Sequence, residues 1–365
     1  MALLSPCFWP EVRRGMERFT RELADGLLAH GQRPQLITSH PGRPSRTLED
    51  RLPIVRVPRP PQGPLLRRGY EPYLTHVPLA YAVLRAGRYD IAHAMHTTDA
   101  AAAMRWKRRT GRPALLSFMG IPDRAGLRYA RKRLGLMRRA VSECDAVVAL
   151  SEYAAEAFRT SLGYEAPVIA PGVDLHAFQS AGPRAEQPTI VCSAAAEEPR
   201  KHVALLVEAL GLVRADVPDA RLVLSRPRDF EAVRRIGVDA EADGVEWHDL
   251  DDRAVLARVY GEAWVSVLAS DSEAFGLVLA EAMACGTPVV AYDDAALPEL
   301  VDRPGIGRLF DRLEPRALAD AILETLELSR DEATADRCRA RAQEFSTDRF
   351  VERYLELYRT IGAGR

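Results

Sequence analysis

Lysine is nearly missing from this chain: of 50 Lys and Arg residues in 365, only Lys107, Lys132 and Lys201 are lysines. In so Arg-biased a sequence a retained lysine stands out, because a compact ammonium and a planar guanidinium bind differently. Cysteine is sparse. Cys7, Cys144, Cys192, Cys285 and Cys338 are scattered, with no C-x-x-C and no nearby His pairing, which excludes a disulfide framework or a zinc site and fits a reducing cytoplasm. Long hydrophobic runs are missing too, since the most apolar longer stretch, Ala274 to Tyr292, contains Glu281, Gly286 and Pro288, against a membrane span. The opening run from Met1 to Glu11 has no basic leader and is broken by Pro6 and Pro10. It reads as a first buried strand and not as a signal peptide, so a soluble, cytoplasmic protein is expected. No internal repeat appears, and no G-x-G-x-x-G follows the first strand of either half, which weighs against a dinucleotide oxidoreductase.

What is present is ordinary globular material, 47% hydrophobic and 28% charged, long enough for two domains. The net charge of −1 hides an asymmetry. Residues 1–180 hold 27 Lys+Arg against 16 Asp+Glu, a net +11, and the remainder 23 against 35, a net −12. A basic half implies an acidic partner or an anionic membrane surface, with solvated Arg faces as the alternative. The stretch carrying Arg128, Arg131, Lys132, Arg133, Arg138 and Arg139, interleaved with Leu127, Leu134, Leu136 and Met137, fits anionic lipid, an acidic acceptor or a packed, solvated helix. No nucleic-acid partner is expected.

Short apolar runs alternate with amphipathic stretches along both halves, a βα rhythm. Strands are expected near residues 2–5, 35–38, 90–94, 114–118 and 146–150, and helices over 16–30, 73–86, 100–109, 124–143 and 152–161. A polar linker, Gln179 to Gln187, precedes a second βα series with strands at 189–192, 221–224 and 264–268 and helices over 200–214 and 253–263. Such alternation implies mainly parallel sheets, with ligands outside the carboxyl ends of the strands. Residues 347–361 form a last helix whose stripe Phe350, Tyr354, Leu357 and Ile361 needs a surface to bury against.

The chemistry concentrates between Leu268 and Tyr292. Glu273 lies in a loop after a strand, and Glu281 lies eight residues on, in an otherwise apolar helix. A charge there is costly unless paired or hydrogen-bonded, so Glu281 needs a dedicated partner, either ligand hydroxyls or a neighbouring loop that it caps. Gly276 between them lets backbone amides approach a ligand at a helix start, where the partial positive charge favours phosphate by roughly 0.3–2 kcal/mol.

Glu273 and Glu281 form an E-x7-E pattern within E-A-F-G-L-V-L-A-E-A-M-A-C-G-T-P-V-V-A. This block resembles family 4 of the retaining glycosyltransferases. Phe8-Trp-Pro-Glu-Val-Arg-Arg-Gly-Met-Glu-Arg-Phe19 is similar to that family's first loop and helix, Pro171-Gly-Val-Asp174 to its interdomain hinge, and the last helix to the one that crosses back to the first domain. The resemblance implies an α/β protein of the GT-B fold, two Rossmann-like βαβ domains facing each other across a cleft. Residues 1–178, joined by the helix 347–365, would bind the acceptor, and residues 179–346 the nucleotide sugar. It further implies that Glu281 takes the ribose hydroxyls, that Glu273 contacts hydroxyls of the donor sugar, and that amides around Phe275, Gly276 and Leu277 lie near sugar and diphosphate. Arg200 and Lys201, at the start of the second domain's first helix, would stabilise the leaving phosphate. An exposed helix start is the alternative for them, although the dipole there disfavours cations. With no D-x-D assigned to metal binding, these cations replace a divalent ion, so no metal or cofactor is expected and the nucleotide sugar is a substrate.

Gly15 offers amides from the first domain, and Arg13 or Arg14 either adds charge or belongs to a solvated loop. His93 and His96, with Asp99 nearby, would face the acceptor, a core or surface histidine being the alternative. The chain departs from the family at Met119, where many members have a His, at Ser225-Arg-Pro227 in place of a Gly-rich turn, and at Ala295-Ala296 in place of two glycines. The expectation is a retaining hexosyltransferase acting on a glycolipid, polysaccharide or natural-product hydroxyl, at the inner face of a membrane if the basic half docks there. A silent sugar-nucleotide-binding subunit and a nucleotide-sugar epimerase of the same fold are the alternatives.

Overall fold

The computed structural model describes residues 1–12, 15–179 and 182–363. The chain divides into two compact units, Met1–Gly172 with Thr347–Arg365, and Val173–Ser346. The sequence put the division at 178. It falls earlier because the intervening residues are held by the second unit: Arg253 donates to Asp174 at 3.0 Å, and the Phe178 ring lies 6.2 Å from that of Tyr260.

Among the described residues the first unit has seven strands: β1 Ala2–Leu4, β2 Gln35–His40, β3 Ser45–Glu49, β4 Leu52–Pro58, β5 Ala92–Ala94, β6 Ala114–Ser117 and β7 Ala146–Val148. Their order is β3-β4-β2-β1-β5-β6-β7, parallel except for the β3–β4 hairpin. That hairpin turns through Asp50 and Arg51, both at positive φ, the backbone that matches the twist of paired strands. Side chains alternate across the sheet. Leu4, Ile37, Ala94 and Leu116 enter a core with Leu84, Met104, Trp106 and Phe158. Leu3, His93 and Leu115, in register with one another, face the other way. That side meets the helices Gly15–Ala29 and Thr347–Ala363, where Phe19 packs edge-on against Phe350 and Tyr354.

The last helix buries Phe350, Val351, Tyr354 and Tyr358, while Leu357 and Ile361 are only half-buried. The expected stripe is thus rotated onto Tyr358, because the hydroxyls of Tyr354 and Tyr358 have polar partners inside the first unit, Ser117 and His93. The helix expected over 124–143 is broken into Arg124–Arg128 and Arg133–Glu143. Between them Arg131 donates its N–H to Gly69 O and accepts from Glu71 N, and Lys132 takes a left-handed φ of 79°.

The second unit's strands are β8 Thr189–Cys192, β9 Arg221–Ser225, β10 Val245–His248, β11 Val265–Leu268, β12 Val289–Tyr292 and β13 Gly307–Phe310. They run β10-β9-β8-β11-β12-β13, every neighbouring pair parallel. This is the doubly wound order in which winding reverses between the first and fourth strands, leaving a crevice outside the carboxyl ends of β8 and β11.

Candidate functional site

The loops that leave β8 and β11 carry the residues singled out by the sequence. Beyond β8, Pro199–Lys201 forms a single 3-10 turn, and the regular helix begins only at Val203. Arg200 and Lys201 therefore precede the helix instead of opening it, and what holds them is a carboxylate. Arg200 Nη1 donates to Glu273 Oε1 at 2.9 Å, and Lys201 Nζ donates to the same oxygen. The Arg200 fork reaches Glu198 Oε2 at 3.0 Å with its other nitrogen. Lys201 and Glu273 are largely buried, at 12% and 14% side-chain exposure. Burial alone would raise the Glu273 carboxyl, but Lys201 and then Arg200 outweigh it and hold it below the usual range. Burial likewise works against the Arg200 cation, and Glu273 and Glu198 more than reverse it. Glu273 and Arg200 are thus both charged at neutral pH.

Gly276 caps the helix Leu277–Ala284 at φ +95°, a conformation open to glycine at little cost. No side chain caps this end, and the Phe275 ring turns inward, edge-on to Phe345 at 5.2 Å. Phe275 is buried and Leu277 half-buried. Glu281, one turn into the helix, is 3% exposed among buried Leu279, Ala280, Ala282 and Met283. The neighbouring Cys285 thiol is pushed up to about 12 by burial, with the Glu281 charge adding to it. Ala295 occupies φ 52°, the left-handed region that explains a preference for glycine there.

Sequence reasoning missed the second layer of this site. His202 Nε2 lies 2.8 Å from Asp271 Oδ2, Asp271 N donates to Arg200 O at 3.1 Å, and Ser272 N donates to Asp294 Oδ2 at 2.7 Å. The polar run Ser270-Asp271-Ser272 before Glu273 is the kind that signals side-chain-to-backbone turn bonds, but its partners lie in other loops. The chain's D-x-D, Asp249-Leu250-Asp251, is a turn after β10 in which Asp251 N donates to Asp249 Oδ1 at 3.1 Å. Among the described residues no three His, Cys, Asp or Glu side chains are grouped to hold a metal ion.

In the first unit Gly15 opens the helix Gly15–Ala29, with open space where a Cβ would stand; Arg13 and Arg14 lie outside the described residues. The two histidines part company. His93 is fully buried, Nδ1 2.7 Å from Tyr358 Oη and Nε2 2.7 Å from Ser117 Oγ. It faces helices, not solvent, and acts as a core residue. His96 caps the helix Thr97–Thr110, its Nδ1 accepting from Thr98 N at 3.3 Å, and stands 3.6 Å from Glu71. Glu71 also takes Arg133 Nε at 2.8 Å and Thr97 Oγ1 at 2.6 Å. Asp99 pairs with His76 at 3.0 Å, both fully buried and too poorly aligned to form a hydrogen bond. Met119 is half-buried in the loop after β6.

Burial lowers His93 to about 3 and His96 to about 4, so both are neutral in the folded chain. The unfolded chain binds these protons near pH 6.5. Between that pH and the folded values the unfolded state therefore holds more protons, and stability falls as pH falls. Thermal unfolding followed from pH 7 to pH 4 should show Tm dropping below about 6.5, with a shallower slope in His93→Gln. An unchanged slope in that variant would remove His93 from the account.

Two family models cover nearly the whole chain: that described as Glycosyltransferase Family 4 matches residues 13–177, and that described as Glycosyl transferases group 1 matches residues 177–345. Among curated relatives, a phosphatidyl-myo-inositol mannosyltransferase of Propionibacterium freudenreichii is 29% identical over 76% of this chain and 72% of its own length. One of Mycobacterium leprae is 26% identical over 87% and 84%. A D-inositol 3-phosphate glycosyltransferase of Jonesia denitrificans is 32% identical over about half of each chain, 52% and 50%. Among solved structures, sucrose-phosphate synthase from Thermosynechococcus elongatus superposes with a TM-score of 0.81 at 22% identity, covering 100% of this chain and 99% of that one. Anabaena HepE in complex with UDP-glucose gives 0.74 at 19%, covering 98% and 99%. At such identities the likeness to the solved structures is one of fold. With both family models matched in chain order on two doubly wound units, the chain belongs to glycosyltransferase family 4 and is a glycosyltransferase of the GT-B fold.

Proposed function

We propose that the chain is a retaining, metal-independent hexosyltransferase that moves a sugar from a nucleoside-diphosphate donor to a hydroxyl of an inositol-type acceptor. The observation that carries this reading is the convergence of Arg200 and Lys201 on Glu273 at the switch point of the second sheet, just ahead of the helix Leu277–Ala284. A diphosphate gains negative charge as its bond to the sugar breaks, and preorganised cations stabilise that charge without reorganising. Glu281 accepts from ribose hydroxyls and Glu273 from hydroxyls of the sugar, roles suited to groups that only accept. Amides at Phe275, Gly276 and Leu277 take the sugar and phosphates.

In a front-face displacement the acceptor oxygen bonds to the anomeric carbon on the side from which the diphosphate leaves. The acceptor proton passes to the departing phosphate oxygen, so no protein nucleophile is needed. Orientation of the two substrates is then worth up to about 7–11 kcal/mol. The relatives' names support an inositol-containing acceptor, and the UDP-glucose held by the Anabaena neighbour supports the donor class.

Contact with an anionic membrane belongs to this reading. Residues 60–70 and 124–142 contain no acidic residue, and the Tyr70–Arg131 bridge joins them. Arg67, Arg68, Arg128, Arg131 and Lys132 are exposed there around Leu66 and Tyr129, which are 44% and 76% exposed. The test is transfer from sugar nucleotides, with EDTA present, to inositol phosphates and to phosphatidylcholine vesicles with and without phosphatidylinositol. The product should keep the donor's anomeric configuration by NMR, and protein should sediment with the anionic vesicles. An inverted product or a covalent glycosyl-enzyme would rule out the front-face route. Donor interconversion without acceptor would favour an epimerase, and binding without transfer a silent subunit.

A further inference from the structure

Three residues other than glycine take left-handed backbone around the donor-side loops: His202 at φ 48°, Ser272 at 54° and Ala295 at 52°. Each loop is tied across to another. Asp271 reaches the His202 ring with its carboxylate and Arg200 O with its N–H, Asp294 accepts from Ser272 N, and Ala296 N donates to Glu273 O at 3.2 Å. Strained backbone of this kind persists only where its surroundings over-determine it, and it gathers at functional sites.

We infer that His202 and Asp271 are positioning residues, a clasp that fixes the Pro199–Lys201 turn so that Arg200 and Lys201 both reach Glu273. The inference rests on the transferase reading above and adds to it residues that touch neither donor nor acceptor. The geometry argues for the role in two ways. Asp271 holds the chain on either side of Lys201, by the backbone of Arg200 and by the side chain of His202. The pair is also too exposed, at 27% and 37%, to contribute much to folding as an ion pair. Its effect belongs to placement, where an ångström lost at the reacting groups costs about 100-fold in rate.

Because glycine takes φ near 48° without penalty, His202→Gly removes the clasp while relieving the strain, which separates the two roles. Expected in His202→Gly and Asp271→Ala are a Tm within two degrees of wild type or above it, a kcat lowered about 10- to 100-fold, and a donor KM within threefold. Hydrogen exchange should quicken in 199–203 and 270–273 in both. Asp271→Asn, which still accepts from His202, should recover most of the rate. Wild-type kcat and exchange in both His202→Gly and Asp271→Ala would overturn the clasp and leave the transferase reading intact. A wild-type protein that binds and cleaves no sugar nucleotide would overturn the reading, and the clasp with it.

Discussion

Replacing Glu273 by Gln should lower kcat by about two to three orders of magnitude, the scale seen when a preorganised charge at a reacting centre is lost. Glutamine keeps the size of the side chain but surrenders the charge that Arg200 and Lys201 share at one oxygen. The two cations then repel each other with only Glu198, on Arg200, left as a counter-ion, and their placement relaxes. Under the proposed function, donor hydroxyls lose a charged acceptor as well. Thermal stability should move much less, because the amide still accepts hydrogen bonds and no cavity opens. Steady-state kinetics with a saturating donor measures the effect. A kcat within fivefold of wild type would place Glu273 outside the chemistry and favour a silent subunit.

Lys201→Ala should have the larger effect on the folded state. It leaves a mostly buried carboxylate with Arg200 alone, and breaking a buried pair from one side typically costs about 3–5 kcal/mol. Both groups retain some solvent access, so the lower end of that range is expected, with kcat falling at least 100-fold. The double variant Lys201→Ala with Glu273→Ala should recover much of the lost stability but none of the rate. Denaturant unfolding and transfer kinetics on the same preparations separate the two. Additive stability losses in the double variant would contradict the pairing.

The E-x7-E block could be placed from the sequence because its signals are local: a strand, a glycine turn and an apolar helix interrupted by one carboxylate. The parallel order of both sheets follows from βα alternation. Harder to read were features set by distant partners. His93 gives no sign in sequence that Tyr358, 265 residues away, occupies its Nδ1. The β3–β4 hairpin lacks an Asn-Gly or Asp-Gly signal, since Asp50 and Arg51 adopt the turn without glycine. Residues 124–143 have continuous helical periodicity, and only pairing with Gly69 and Glu71 breaks it. Arg200 and Lys201 were found by residue type, but dipole arguments about a helix start do not apply to a turn that ends two residues earlier.

The central claim is that the second unit holds a nucleoside-diphosphate sugar with Glu281 on the ribose and without a metal. The most direct test is calorimetric binding of UDP-, GDP-, ADP- and dTDP-sugars in EDTA, with slow nucleoside-diphosphate release followed alongside, for wild type and Glu281→Ala. The account predicts selective binding of one base class by wild type, weakened roughly 10-fold or more in the variant as a charged hydrogen bond is lost. Binding of no donor, or binding indifferent to Glu281, would contradict it.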